Sequence, residues 1–224
     1  MSEQARTIVI TGANRGIGLA MATQFVANGD NVVALCRESS KALAALNVEV
    51  ITNVELTDQQ SLDTVADKLK GRCIDLLINN AGILKNETLS DLNSQTITEQ
   101  FLVNALAPIK LTQALLNNLF DGSKVAFITS RMGSISDNGS GGRYGYRMSK
   151  AALNIAAVSL AKDLAPNNIA IGIFHPGYVQ TDMTGQRGEI TTKQSATGLI
   201  KLMDKLSLEN SGEFFHSNGQ ALPW

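Results

Sequence analysis

Short runs of β-branched and apolar residues alternate with longer stretches of helical composition along almost all of the 224-residue sequence. The runs fall at Thr7–Thr11, Asn31–Cys36, Val48–Thr52, Ile74–Asn79, Lys124–Thr129, Ile169–His175 and, more weakly, Glu213–His216. Between them lie Gly16–Asn28, Asp58–Lys70, Ile97–Phe120, Arg143–Ala165 and Thr191–Ser207. Strands separated by helices of this length predict βαβ units and a parallel sheet. Such a sheet is covered on both faces, which explains why its strands read as continuously apolar instead of alternating. The expected architecture is a single doubly wound α/β domain over residues 1–224, with about seven parallel strands and helices on both faces.

Composition narrows the function classes. Hydrophobic residues make up 44% and charged residues 17%, and the formal net charge is −1. Nothing in that balance attracts nucleic acid or an anionic membrane surface. Cys36 and Cys73 both lie in apolar segments, so buried, reduced thiols are expected in place of a disulfide framework. The segment Met1–Arg6 carries no signal-peptide core, and no apolar run reaches the length of a membrane span. A soluble cytoplasmic protein that needs no metal is the expectation.

The first strand runs into Thr11-Gly12-Ala13-Asn14-Arg15-Gly16-Ile17-Gly18 and then directly into a helix. Glycines at such a turn let the backbone approach a pyrophosphate, whose charge is favoured by the free amides and dipole of the helix N-terminus. The turn therefore marks a Rossmann-type dinucleotide site, with a plain tight turn as the alternative. At the end of the second strand, an acidic residue would favour NAD(H) by binding ribose hydroxyls. The sequence offers Cys36 and Arg37 there, and Arg15 in the turn. Two guanidiniums suit a 2′-phosphate, so the expected cofactor is NADP(H) in preference to NAD(H).

Tyr146 and Lys150 are separated by four positions and share one helix face. A free phenol titrates near 10, and a neighbouring ammonium is expected to lower that value toward the working range. Ser130 follows the strand Lys124–Thr129, at the C-terminal sheet edge where ligands of parallel sheets bind. Its hydroxyl can polarise a substrate oxygen, unless it merely closes its own turn. Asn104 lies four residues before Pro108, which offers no N–H, so its carbonyl is free to hold an ordered water near Lys150. A simple kink is the alternative there. The glycine- and serine-rich stretch Gly133–Gly142 reads as a loop beside this site.

Two further motifs follow in order: Asn79-Asn80-Ala81-Gly82 after the fourth strand, and His175-Pro176-Gly177-Tyr178-Val179-Gln180-Thr181-Asp182-Met183 after the sixth. With Gly-x-x-x-Gly-x-Gly and Tyr146-x-x-x-Lys150, the chain resembles the short-chain dehydrogenase/reductase family from Gly12 to its end. The branch it is most similar to is that of C-factor and sniffer-like carbonyl reductases, through Ser130-Arg131-Met132-Gly133-Ser134-Ile135-Ser136, Tyr146–Asn154 and Leu222-Pro223-Trp224. The resemblance implies a catalytic tetrad of Asn104, Ser130, Tyr146 and Lys150. It implies cofactor contacts at Gly12, Asn14, Arg15, Gly16, Ile17, Gly18, Arg37, Asn80, Ala81 and Gly82. Tyr146, Lys150, Pro176, Gly177, Val179 and Thr181 complete that set. Glu55 and Leu56 stand where the family usually has aspartate near the adenine. Asn79 is expected to brace the sheet, and His175 to be a satisfied strand-end residue.

The implied reaction is hydride transfer between NADP(H) and a carbonyl or secondary alcohol, with an NADP(H)-binding sensor of C-factor type as the alternative. Residues 184–195 are expected to form a short lid, with Gly185 and Gly188 permitting movement. Small apolar residues around the Tyr146–Ala165 helix, with the family's usual pairing, imply a homodimer or a homotetramer.

Overall fold

The computed structural model describes residues 5–224, so the reading of Met1–Gln4 lies outside the described residues. Its elements follow the predicted alternation: β1 (Thr7–Thr11), α1 (Gly16–Ala27), β2 (Asn31–Leu35), α2 (Lys41–Ala44), β3 (Glu49–Ile51), α3 (Gln59–Leu69) and β4 (Leu76–Asn79). Next come α4 (Ser94–Phe101), a π-helical turn (Leu102–Leu106), α5 (Ala107–Ala114), β5 (Lys124–Ile128), α6 (Tyr144–Leu164), β6 (Ala170–His175), α7 (Thr192–Asp204) and β7 (Phe214–His216). The seven strands form one wholly parallel sheet in the order β3-β2-β1-β4-β5-β6-β7. The chain grows outward from β1 in one direction, then returns to its other side with β4. The crevice at that reversal, outside the C-terminal ends of β1 and β4, is where such sheets bind ligands.

Two apolar layers hold the sheet, and alternate residues of each strand enter opposite layers. Val9, Leu77, Phe127 and Ile173 pack against Leu62 of α3, Leu111 of α5 and Leu153 of α6. Ile10, Ile78, Ala126 and Phe174 pack against Met21 and Phe25 of α1 and Leu199 and Met203 of α7. Both strand faces lose water, so continuous hydrophobicity is what the packing requires.

The predicted helix Ile97–Phe120 is not continuous. It begins earlier, at Ser94, because Asn93 Oδ1 accepts from the N–H groups of Gln95 and Thr96. It then widens into the π-helical turn, where the Ala107 N–H donates to Leu102 C=O, and it ends in a 3₁₀ turn at Leu116–Asn118. Pro108 lies just beyond; its missing N–H removes a rung from the α-helical ladder, and the ladder widens. The single turn α2 was not predicted: four residues show no periodicity, and Ser40 Oγ caps them at Leu43 N–H. Cys36 is buried as expected, but Cys73 is exposed because it lies in the turn before β4 and not in the strand. Among the described residues no helix is long and apolar enough to cross a membrane.

His175 closes β6 and is 7% exposed. Its ring meets that of His216 edge-on, with centroids 4.9 Å apart, yet its Nδ1 has no hydrogen-bond partner. It is therefore not the fully satisfied histidine expected. Burial, assisted by His216 and Arg131, pushes its pKa from the ordinary 6.5 to about 3. A histidine whose folded value is depressed contributes stability that is complete above pH 6.5 and is lost as the pH falls toward 3. The unfolding free energy of His175→Asn is expected to fall less steeply across that window, by up to about 1.4 kcal/mol per pH unit. Urea titrations of both proteins at several pH values measure this, and equal slopes would contradict it.

Candidate active site

The glycine turn is built around Thr11 and Asn80. Thr11 Oγ1 accepts from the N–H groups of Asn80 (2.9 Å) and Ala81 (3.0 Å), while Asn80 Nδ2 donates to Thr11 C=O (2.9 Å) and Gly12 C=O (3.3 Å). Four bonds thus tie the ends of β1 and β4 together across the crevice. Gly12 has φ +65, and a Cβ at Gly18 would collide with the Gly12 carbonyl and come within 2.6 Å of Asn80 Nδ2. Glycine is required there by space as well as by backbone conformation. Arg15 occupies the N-cap position of α1, which has no side-chain cap and no acidic residue in its first turn. The first N–H groups of that helix are therefore available to an anion.

Asn14 Nδ2 donates to Glu38 C=O (2.9 Å), joining the turn to the loop after β2. Arg37 is exposed in that loop. Arg15 Nη1 lies 3.2 Å from Asp182 Oδ2, an exposed pair that solvent screens. Glu55 is exposed, its carboxylate turned back to Thr57 Oγ1 (2.9 Å), and Leu56 is half-buried against the core. Asn79 Nδ2 donates to Thr112 Oγ1 (3.2 Å), bracing the sheet against α5 as expected.

The four chemistry-bearing side chains arrive from three elements. Ser130 emerges just beyond β5, and its Oγ accepts from Met132 N–H (3.1 Å) while its hydroxyl also stabilises the phenolate form of Tyr146. The serine thus closes its own turn and also faces the Tyr146 phenol. Tyr146 and Lys150 lie on the first turns of α6, 8% and 4% exposed. Lys150 Nζ donates to Ile128 C=O (2.9 Å) and stands 5.9 Å from the centre of the Tyr146 ring.

The electrostatics differ from expectation. Burial raises the Tyr146 pKa, opposed by Ser130 and then by the Arg143 guanidinium. The Lys150 ammonium is turned to the Ile128 carbonyl, and burial, not a neighbouring cation, sets the direction of the Tyr146 shift. Burial lowers Lys150 itself to about 8. Desolvation, which disfavours the charged form of each group, governs both residues.

Asn104 is fully buried in the π-helical turn. Its Oδ1 accepts from Ile83 N–H (2.8 Å), and its Nδ2 donates to Ile83 C=O (2.8 Å) and Ser149 Oγ (3.0 Å). Ser149 Oγ in turn donates to Tyr146 C=O (2.8 Å). A Cβ at Gly82 would lie 3.2 Å from Asn104 Oδ1 and 3.7 Å from Lys150 Nζ, so Gly82 packs against both side chains.

The segment after β6 forms the opposite wall. Pro176 C=O accepts from the hydroxyls of Ser195 (2.7 Å) and Ser217 (3.0 Å), and Gly177 turns the chain with φ +89. Thr181 starts a 3₁₀ turn over Asp182–Thr184, and its methyl faces Gly16. Val179 is buried and bridges to Ile190, while Gln180 N–H donates to Ile190 C=O and Glu189 N–H to Tyr178 C=O. Residues 184–191 are thereby pinned onto this wall, and Thr191–Ser195 begin α7. Gly188 serves close packing, not movement, since a Cβ there would overlap the backbone of Val179 and Gln180.

Several supporting residues escaped the sequence reading. Glu87, buried in the loop after β4, accepts from Thr96 Oγ1 (2.7 Å), Gln100 Nε2 (2.7 Å) and the Gly145 N–H (3.3 Å). It supplies the N-terminal cap that α6 lacks locally, because Arg143 sits before the helix at φ 53 with no capping bond. Arg147 donates to the carbonyls of Gly141, Gly142 and Met132 and to Ser140 Oγ, closing the Gly133–Gly142 loop. Trp224 stacks on Phe214, and its carbonyl accepts from Ser136 N–H (3.0 Å), which brings the Leu-Pro-Trp motif to the same loop. Ser149, between Tyr146 and Lys150, carried a legible signal; Glu87 carried none.

Comparison with known proteins identifies the family of the chain. A family model described as short chain dehydrogenase matches residues 6–191. A 1-hydroxy-2-glutathionyl-2-methyl-3-butene dehydrogenase of Rhodococcus sp. (strain AD45) is 37% identical over 224 residues, covering 97% of this chain and 99% of the relative. The C-signal protein of Myxococcus xanthus is 43% identical over 154 residues, covering 67% and 93%. The structure of an NADPH-bound carbonyl reductase from chicken fatty liver superposes with a TM-score of 0.90 at 30% identity, covering 99% and 100%. The chain belongs to the short-chain dehydrogenase/reductase family.

Proposed function

We propose that this protein transfers hydride between NADP(H) and a carbonyl or secondary alcohol, with Asn104, Ser130, Tyr146 and Lys150 as its working tetrad. The observation that carries the reading is the convergence of a buried phenol, a buried ammonium and a strand-end hydroxyl beside an uncapped helix N-terminus. The dinucleotide fits the chain on three counts: the open amides of α1, the glycine cradle of Gly12, Gly16 and Gly18, and a β2 end without a carboxylate. Asn14, Ile17 and the Asn80–Gly82 segment flank that cradle, with Glu55 and Leu56 toward the adenine. Pro176, Gly177, Val179 and Thr181 face the nicotinamide end. Arg15 and Arg37 take the 2′-phosphate; NADPH in the related carbonyl reductase supports that preference.

When bound, the dinucleotide supplies the hydride; the chain binds, orients and moves a proton. In reduction, the Tyr146 phenol donates to the carbonyl oxygen while the Ser130 hydroxyl polarises it. The burial that raises the phenol pKa keeps it protonated near neutrality, in the form reduction needs. Lys150, near 8, binds the cofactor ribose and passes protons onward. The Asn104 main-chain carbonyl, in the π-helical turn, holds the relay water. Its side chain fixes Ile83 and, through Ser149, the Tyr146 turn. Residues 184–195 act as the lid over the nicotinamide end, held to the Pro176–Thr181 wall by backbone bonds.

The Rhodococcus relative is named for an alcohol bearing a glutathionyl group, so oxidation of alcohols belongs to the same reading. Two free cysteines suit a cytoplasmic location. Exposed Phe101, Leu102 and Leu106 on one side, and Met148 and Ile155 on α6, suit association into a homodimer. The C-signal likeness carries the sensor alternative, which has no use for a desolvated phenol and ammonium side by side. A carbonyl screen for NADPH oxidation separates the two.

Tyr146→Phe is expected to lower kcat by about 10²–10⁴-fold while NADPH binding persists, since only the proton donor is lost. Wild-type turnover by that variant would refute the assignment. The Arg15→Ala/Arg37→Ala double variant is expected to lose about 10–100-fold or more in NADPH affinity, as charge-assisted hydrogen bonds disappear, with a much smaller loss for NADH. Fluorescence titration with both nucleotides measures the difference, and equal losses would refute the cofactor preference.

A further inference from the structure

We propose that Arg143 forms a carboxylate-binding subsite at the substrate mouth, so that the natural carbonyl or alcohol carries a carboxylate. This rests on the oxidoreductase reading above and names the class of molecule that the same site takes.

Arg143 stands three residues before Tyr146, with φ 53 and ψ 47. Left-handed backbone is costly for a side chain of this kind, and it persists here because the Arg143 N–H donates to Glu87 C=O at 2.8 Å. The side chain is exposed and makes a contact on either side. Nε donates to Asn86 Oδ1 (3.2 Å), in the loop that continues from Gly82, and Nη1 reaches Met132 Sδ (3.7 Å), two residues past Ser130. The guanidinium therefore spans the two loops that flank the phenol. Its charge is felt at the Tyr146 oxygen.

Three arginines stand next to Ser130 and Tyr146 in the sequence or within three residues of them, and their states differ. Arg131 is paired with Asp137 at 2.7 Å. Arg147 is saturated by backbone carbonyls and Ser140. Arg143 has no carboxylate within ion-pair distance among the described residues, and the nearest acid, Glu87, directs its oxygens inward to Thr96, Gln100 and Gly145. An ordinary surface arginine needs neither a strained backbone nor a tether on each side. With Nε occupied by Asn86 and Nη1 holding only a thioether, the Nη1–Nη2 edge remains open. Such an edge can receive a carboxylate through two parallel N–H···O bonds.

The test uses the full chain with NADPH and a series of keto acids of increasing length, each paired with its methyl ester. Wild-type protein is expected to favour one acid over its ester by about 10-fold or more in kcat/KM, mostly through KM, with the preference shrinking as salt rises. Arg143→Gln is expected to reduce that acid-to-ester ratio at least 10-fold, and Arg143→Lys to restore part of it, because a point charge lacks the planar fork. Turnover of esters and acids at equal efficiency by wild type, or a ratio unchanged in Arg143→Gln, overturns the subsite and leaves the oxidoreductase intact. NADPH oxidation with no member of any pair overturns the reading beneath it and the subsite together. Calorimetric titration of the NADP+-loaded protein with the preferred acid gives a readout independent of turnover: binding that survives Arg143→Gln unweakened also overturns the proposal.

Discussion

A parallel sheet buried on both faces leaves one place for polar chemistry. Its strands lie between two apolar layers, one anchored by Phe127 and Leu153 and the other by Phe25 and Phe174. Any charged or hydrogen-bonding group set within those layers is costly unless it is paired. The C-terminal ends of the strands escape this limit, because loops there can turn backbone and side-chain donors into the crevice. At the reversal between β1 and β4, Thr11 and Asn80 join the two strand ends with four hydrogen bonds. The glycine turn, the Asn80–Gly82 segment and the open N-terminus of α1 all take their positions from that junction.

The Tyr146–Lys150 side of the crevice is organised by desolvation. Lys150 is almost wholly buried with one carbonyl partner, which holds its pKa near 8, and Tyr146 is buried enough that its phenol is pushed upward. Such groups keep their places only if their surroundings are rigid. The rigidity comes from Asn104, which ties Ile83 and Ser149 together, and from Glu87, which caps α6 from a loop nearly sixty residues upstream. Neither residue needs to touch a reacting atom to matter. Both hold the first turns of α6 against the loop that follows β4.

Much of this arrangement is legible in the sequence because its signals are local. Strand-length apolar runs set the sheet, Gly12 and Gly18 mark the turn, and the Tyr146–Lys150 spacing places both groups on one helix face. Signals fail where the deciding partner is distant. Cys73 sits in an apolar stretch yet is exposed, because the strand begins after it. Gly188 reads as a hinge, but the Val179–Gln180 backbone packs against it. Pro108 announces a disturbed helix without saying that the ladder widens to a π-helical turn.

The sequence by itself determined the doubly wound architecture, the dinucleotide turn and the placing of Tyr146 and Lys150 on one helix face, since each depends on periodicity, spacing or residue chemistry within a few positions. Only the tertiary structure decided how those groups are charged and held. The direction of the Tyr146 shift follows from burial, against the opposing pull of Ser130 and Arg143, and not from its i+4 neighbour. The partners of Lys150, Asn104 and Glu87 come from other elements. Burial and long-range hydrogen bonding are properties of packed elements, and a linear pattern does not record which loop will face which helix.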